Sequence, residues 1–123
     1  MTAKAVAFLA TSRASEARWF YEEVVGLRFV EESEFAVVFD AFGTTLRIQK
    51  AEQVVVAPYT SFGLEVDDLE TRVSALAKQG ISGKRYSFLD QDARGVWTSP
   101  SGTRVFWFID PDGNLLSLSQ SGG

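Results

Sequence analysis

A chain of 123 residues, 46% apolar and 23% charged, is long enough to bury one hydrophobic core and too apolar to remain disordered. Sixteen acidic against twelve basic residues give a net charge of −4 with no run of Lys or Arg, so the footprint a phosphate backbone needs is missing and nucleic acid is not expected as a partner. Neither cysteine nor histidine occurs, which removes disulfides, thiolate or imidazole zinc sites, the Ser-His-Asp triad and histidine acid–base catalysis.

Residues 5–11 read as a short buried strand, and its apolar part is too short for a signal sequence or a membrane span. A soluble, cytoplasmic protein with no membrane partner is the expectation. Over residues 15–25, Ala17, Trp19 or Phe20, Tyr21 and Val24 recur at helical spacing between charged residues, and Gly26 follows as a stop. Strand-like runs come next at 27–31, 35–41 and 44–50. The order then repeats. A strand at 61–66 runs into Asp67-Asp68 as a helix cap, and a helix spans 69–79 with Leu69, Val73, Leu76 and Ala77 as its apolar stripe and Gly80 as its end. Three strands follow, the first at either 85–88 or 95–99, then 103–110 and 114–119. Placing Val6 on Ser61 brings Leu9 onto Leu64 and helix onto helix. This points to an internal duplication of a β-α-β-β-β module, about 4–51 and about 60–120, with the extra length of the second copy at 84–94.

Asp110-Pro111-Asp112-Gly113-Asn114 has the residues of a three-residue hairpin loop with a bulge. Counting back from it pairs Trp107 with Ser117 and Val105 with Ser119 on one face. Together with Phe20-Tyr21-Glu22-Glu23-Val24-Val25-Gly26-Leu27 and Leu64-Glu65-Val66-Asp67-Asp68-Leu69, the segment Phe106 to Leu116 resembles the vicinal oxygen chelate superfamily, which joins glyoxalases, bleomycin resistance proteins and dioxygenases. The resemblance covers nearly the whole chain. It implies an α+β fold in which two modules form curved mixed sheets around a ligand cavity.

The metal enzymes of that superfamily place one ligand on each module's first strand and one on its last. On the motif alignment those positions are Val6, Arg47, Ser61 and Ser117. Valine offers no donor, arginine is a fixed cation, and two neutral hydroxyls do not offset desolvation of a divalent ion. Shifting each strand by one residue brings up only Ala, Leu, Ile, Thr and Phe. No metal and no cofactor are therefore expected.

Residues in phase with those positions are the candidate ligand wall: Phe8, Arg47, Gln49, Ser61, Glu65, Trp107 and Ser117, with Trp97 from the strand at 95–99. Arg47 and Glu65 either pair with each other, sit at a solvated mouth, or receive a charged guest. The acidic residues Glu22, Glu23, Glu31, Glu32 and Glu34 read as an ordinary wet face. Two functions follow from the resemblance. One is a metal-free, homodimeric binding protein that sequesters a small organic molecule, for which acidity and aromatic residues suit a cationic aromatic antibiotic or metabolite. The other is a glyoxalase- or dioxygenase-type enzyme, which would need an acid or base among Glu65, Tyr86 and the carboxylates.

Overall fold

Alternating burial and short turns carry two sheets in the computed structural model, which describes residues 2–122. The chain divides into two compact units, one running to Val56 and including Asp110–Asn114, the other made of Ala57–Ile109 and the chain from Leu115 onward. In the first unit β1 (Val6–Thr11), helix α1 (Ala14–Trp19), β2 (Arg28–Glu32), β3 (Ala36–Ala41) and β4 (Thr44–Lys50) form a sheet of order β1-β4-β3-β2. Strand β1 runs parallel to β4 and the remaining pairs are antiparallel. In the second unit β5 (Phe62–Glu65), α2 (Leu69–Lys78), β6 (Val96–Thr98), β7 (Arg104–Ile109) and β8 (Leu115–Gln120) repeat the pattern as β5-β8-β7-β6. Again the first strand is parallel to the last and the others are antiparallel. The duplicated α+β architecture expected from the sequence is the one observed.

Each unit buries one face of its sheet. In the first, Leu9, Leu46, Ile48, Val37 and Phe39 point inward with Ala17, Phe20 and Tyr21. In the second, Leu69, Val73 and Leu76 of α2 are buried, as are Val96, Phe106, Phe108, Leu116 and Leu118 of the sheet. Helix α2 starts as its sequence suggests: Asp68 caps it by accepting the Thr71 backbone N–H at 3.2 Å. Its outer face is tied down by Glu70, whose carboxylate takes hydrogen bonds from Arg94 and Arg104 and is thereby held at a pKa of about 2. Both helical segments end in the same way. Leu27 N–H reaches the Tyr21 carbonyl at 2.9 Å past Gly26, and Ile81 N–H reaches Leu76 at 3.0 Å past Gly80. Both glycines lie at positive φ, 88° and 80°.

Two local expectations need correction. The first helix is not α-helical throughout: after Trp19 it widens into a π turn over Phe20–Val24, closed by Val25 N–H to Phe20 O at 2.9 Å. The extra residue rotates the end of the helix, so Val25 is buried where Val24 was expected, and Trp19 is left 51% exposed. The segment 85–88 is not a strand, because its polar groups are taken locally. Gln91 Oε1 accepts Tyr86 N–H at 2.8 Å, Gln91 Nε2 donates to the Lys84 and Gly95 carbonyls, and Leu89 N–H turns back to Tyr86 O at 3.2 Å. The strand is the other alternative, β6.

The β7–β8 hairpin has the register counted from its turn, with Trp107 opposite Ser117 and Val105 opposite Ser119. Gly113 takes the left-handed position at φ 91°. Within the first unit this turn is a buried polar knot. The carboxylate of Asp110 accepts the Tyr21 hydroxyl at 2.6 Å and Asn114 Nδ2 at 2.9 Å on one oxygen. Its other oxygen takes the Asp112 and Asn114 backbone N–H groups, each at 2.9 Å. Asn114 also donates to the Ala10 carbonyl at 2.9 Å. Asp112 caps the end of β1, accepting the Thr11 hydroxyl and both the N–H and hydroxyl of Ser12. Burial pushes the Asp112 carboxyl up, but these hydrogen bonds outweigh it and hold the group below the usual carboxylate range.

Candidate functional site

In the first unit the face of the sheet opposite the core is open. Register places its side chains in rows across the strands: Phe8, Arg47, Val38 and Glu31 in one, and Val6, Thr45, Asp40 and Arg28 in the next. These residues, with Lys4, Val30 and Gly43, line a groove of about 570 Å³, within the range of small-molecule sites. Phe8 is 54% exposed, so this aromatic ring is not filling a core. Arg28 pairs with Asp40 at 3.2 Å, whereas Arg47 makes no hydrogen bond or ion pair with any described side chain. Gln49, in phase with Arg47 on β4, is exposed opposite Ala10 and Ala36.

The second unit presents an aromatic wall. Trp107 and Ser117 share a row with Gly63, and Trp97, Val105, Ser119 and Glu65 form the next. The Trp107 ring meets the Tyr86 ring edge-on at 5.4 Å and the Trp97 ring at 6.1 Å and 34°. Trp97, Trp107 and Tyr86 are all half-buried, and burial pushes the Tyr86 phenol up, away from service as a base near neutral pH. A Cβ on Gly63 would meet the Ser117 hydroxyl, which would have to turn aside, so the glycine leaves this hydroxyl free to keep its present rotamer. Ser61 lies just before β5 and is exposed, its N–H bonded to Leu115 O at 2.9 Å. Glu65 accepts the Ser121 hydroxyl and lines a shallow polar hollow with Val66, Asp67 and Gln120.

The positions that the resemblance assigns to metal ligands do not suit a divalent ion. On the first unit's face they are the Val6 side chain and the Arg47 guanidinium, and in the second they are two serine hydroxyls. Among the described residues no three carboxylates gather into an alternative donor set.

Two side chains of the groove, Glu31 and Lys4, were not singled out from the sequence, and Tyr86 was weighed only as an acid or base. Tyr86 joins the aromatic wall because the segment before Gln91 folds back on itself rather than forming a strand. Glu31 was assigned to the wet face. A bulge between Phe29 and Glu31 turns both Val30 and Glu31 toward the groove, while Glu32 pairs with Lys50 at 2.8 Å. Lys4 precedes the first strand and carries no periodic signal.

The sequence model of the Glyoxalase/Bleomycin resistance protein/Dioxygenase superfamily matches residues 4–118. No curated protein matches the chain. Among solved structures, a glyoxalase family protein from Bacillus anthracis superposes with a TM-score of 0.77 at 20% identity, covering 98% of this chain and 96% of that one. Lactoylglutathione lyase from Agrobacterium tumefaciens gives 0.74 at 16% identity, covering 98% and 94%. TioX from Micromonospora sp. ML1 gives 0.73 at 15%, covering 98% and 99%. At these identities the likeness establishes the fold. Among the described residues no helix is long and apolar enough to cross a membrane.

Proposed function

The chain belongs to the glyoxalase/bleomycin resistance protein/dioxygenase superfamily, and on that premise we propose that it is a metal-free binding protein that sequesters a small planar organic molecule, an antibiotic or an aromatic metabolite. The observation that carries this reading is the half-buried wall of Tyr86, Trp97 and Trp107, placed beside Ser117 where the superfamily's metal enzymes carry a ligand. Aromatic faces supply apolar area to a flat guest, and the hydroxyl fixes its orientation. A catalytic role of the metal-dependent kind is not favoured, because a guanidinium and two serine hydroxyls make no donor set for a Lewis acid. A homodimer belongs to the same proposal. The sheets leave edge strands β1, β2 and β5, while β6 is already paired along its outer side by Gln91 and Asp92, and a second copy would cover the remaining edges.

A thermal-shift screen of antibiotics and aromatic metabolites, followed by tryptophan fluorescence, tests the reading. A true guest raises the melting temperature with the logarithm of its concentration and quenches the emission of wild type but not that of Trp107→Phe. A screen in which nothing stabilises the protein, or in which Trp107→Phe is quenched as strongly as wild type, would refute it.

A further inference from the structure

We infer that the groove on the open face of the first unit's sheet binds an organic anion, a carboxylate or phosphate carried on an apolar body, and that Arg47 receives its charge. The inference goes beyond the reading above, since it concerns a groove within the first unit and not the aromatic wall of the second. The overall charge of −4 suggests a cationic guest, but the charges along this groove are arranged otherwise.

Arg47 stands between Phe8 on β1 and Val38 on β3, half-buried, with no acceptor among the described residues. A guanidinium beside apolar neighbours gives up part of its hydration, and its five N–H donors then favour any acceptor that enters the groove. The acids nearby do not serve it. Asp40 is held by Arg28 at 3.2 Å and by the Gly43 N–H at 3.0 Å. Glu31 lies in the same row but beyond Val38, two strand spacings or about 10 Å away. Lys4, also without an ion-pair partner among the described residues, adds a second cation to the lining. Val6, Phe8, Val30 and Val38 supply the apolar bed on which the body of the guest would lie. The groove therefore combines a forked, unpartnered cation with apolar floor, the complement of an amphiphilic anion.

Isothermal titration of the full chain with four matched probes tests this: 1-naphthylacetate, 1-naphthyl phosphate, 2-(1-naphthyl)ethanol and 1-naphthylethylamine. Both anions should bind at least tenfold more tightly than the alcohol, and the amine should bind most weakly. Their advantage should shrink as sodium chloride is added. Whichever anion binds better names the head group. Arg47→Gln should abolish the preference by weakening both anions at least tenfold more than the alcohol, and Arg47→Lys should retain part of it, since a lysine keeps the charge but not the fork. If Arg47→Gln fails to fold, the lysine variant and the salt dependence still decide the matter. Anions that bind no better than the alcohol, or equally well to Arg47→Gln, overturn the inference. Failure of all four probes to bind the wild-type chain also overturns it, whereas a guest of the aromatic wall found by the fluorescence screen would leave the binding reading in place.

Discussion

Tyr21→Phe deletes one oxygen atom from the buried knot around Asp110 and leaves the packing of the ring intact. Tyr21 is 0% exposed and Asp110 4%, so water does not replace the lost donor. The ring keeps its edge contact with Phe20 at 5.4 Å and its neighbour Phe39 at 5.9 Å. What disappears is the 2.6 Å hydrogen bond to a carboxylate, leaving Oδ2 with Asn114 as its one remaining donor. A hydrogen bond to a charged group contributes about 2 kcal/mol, which for a chain of this size corresponds to a fall of roughly 6–10 °C in melting temperature. Asp110→Asn should cost more, at least about 3 kcal/mol, because each carboxylate oxygen serves two donors and an amide nitrogen would face one of those pairs. The alkaline behaviour follows from the same geometry. Burial first, and then the Asp110 carboxylate, push the Tyr21 phenol well above its usual value. The native state therefore keeps a proton that the unfolded chain releases near pH 10, so this contribution is complete below about pH 10 and is lost as the pH rises beyond it. Urea unfolding at fixed protein concentration, at pH 8 and pH 10.5, measures both effects, and the gap between wild type and Tyr21→Phe should narrow at the higher pH. A Tyr21→Phe stability within about 0.5 kcal/mol of wild type at pH 8 would refute the assignment of the knot as a major stabilising element.

Phe42 sits at φ 52° at the tip of the β3–β4 turn and is 68% exposed, so Phe42→Asn should raise stability by about 1 kcal/mol by removing left-handed strain at little cost in burial, as urea unfolding would show. Elemental analysis of the purified protein should find no stoichiometric transition metal, zinc or nickel should leave the melting temperature unchanged, and the hemithioacetal of methylglyoxal and glutathione should not be isomerised above the buffer rate; one tightly held metal per chain would sink the metal-free reading. Light scattering at tens of micromolar should return twice the chain mass, and a monomer mass would remove the homodimer from the proposal.

The fold was legible because its determinants are local and doubled. Gly26 and Gly80 end their helices, Asp68 caps the second, and the Asp110–Asn114 turn fixes a hairpin register that propagates along six residue pairs. Where local signals compete, the sequence was ambiguous. Residues 15–25 fit an α-helical pattern until one extra residue per turn at Phe20–Val24 moves Val25 into the core, and nothing in the periodicity marks that widening. Tyr86, Phe88 and Leu89 have strand-like composition, yet the Gln91 amide satisfies the backbone of this segment before a sheet can. The turn residues were legible as a turn but not as a buried knot, since the partner of Asp110, Tyr21, lies 89 positions away in sequence.

The site was legible to the extent that alternation decides which side chains face outward, and illegible where strand register decides which of them meet. Arg47 and Asp40 both face the groove, and both were visible as charges in strands. Register sets Arg47 opposite Val38 and sets Asp40 opposite Arg28 on the other neighbouring strand. A slip of two residues between β3 and β4 would preserve every inward and outward position, yet it would bring Asp40 opposite Arg47 and neutralise it. That slip would move the two-residue loop to Gly43-Thr44, whereas the observed loop is Phe42-Gly43, with Gly43 at φ 102° and its N–H bonded to Asp40 Oδ1 at 3.0 Å. The unpartnered guanidinium is thus a consequence of where this two-residue turn falls, and moving it one residue along the chain is the change most apt to erase the anion preference while leaving the core pattern untouched.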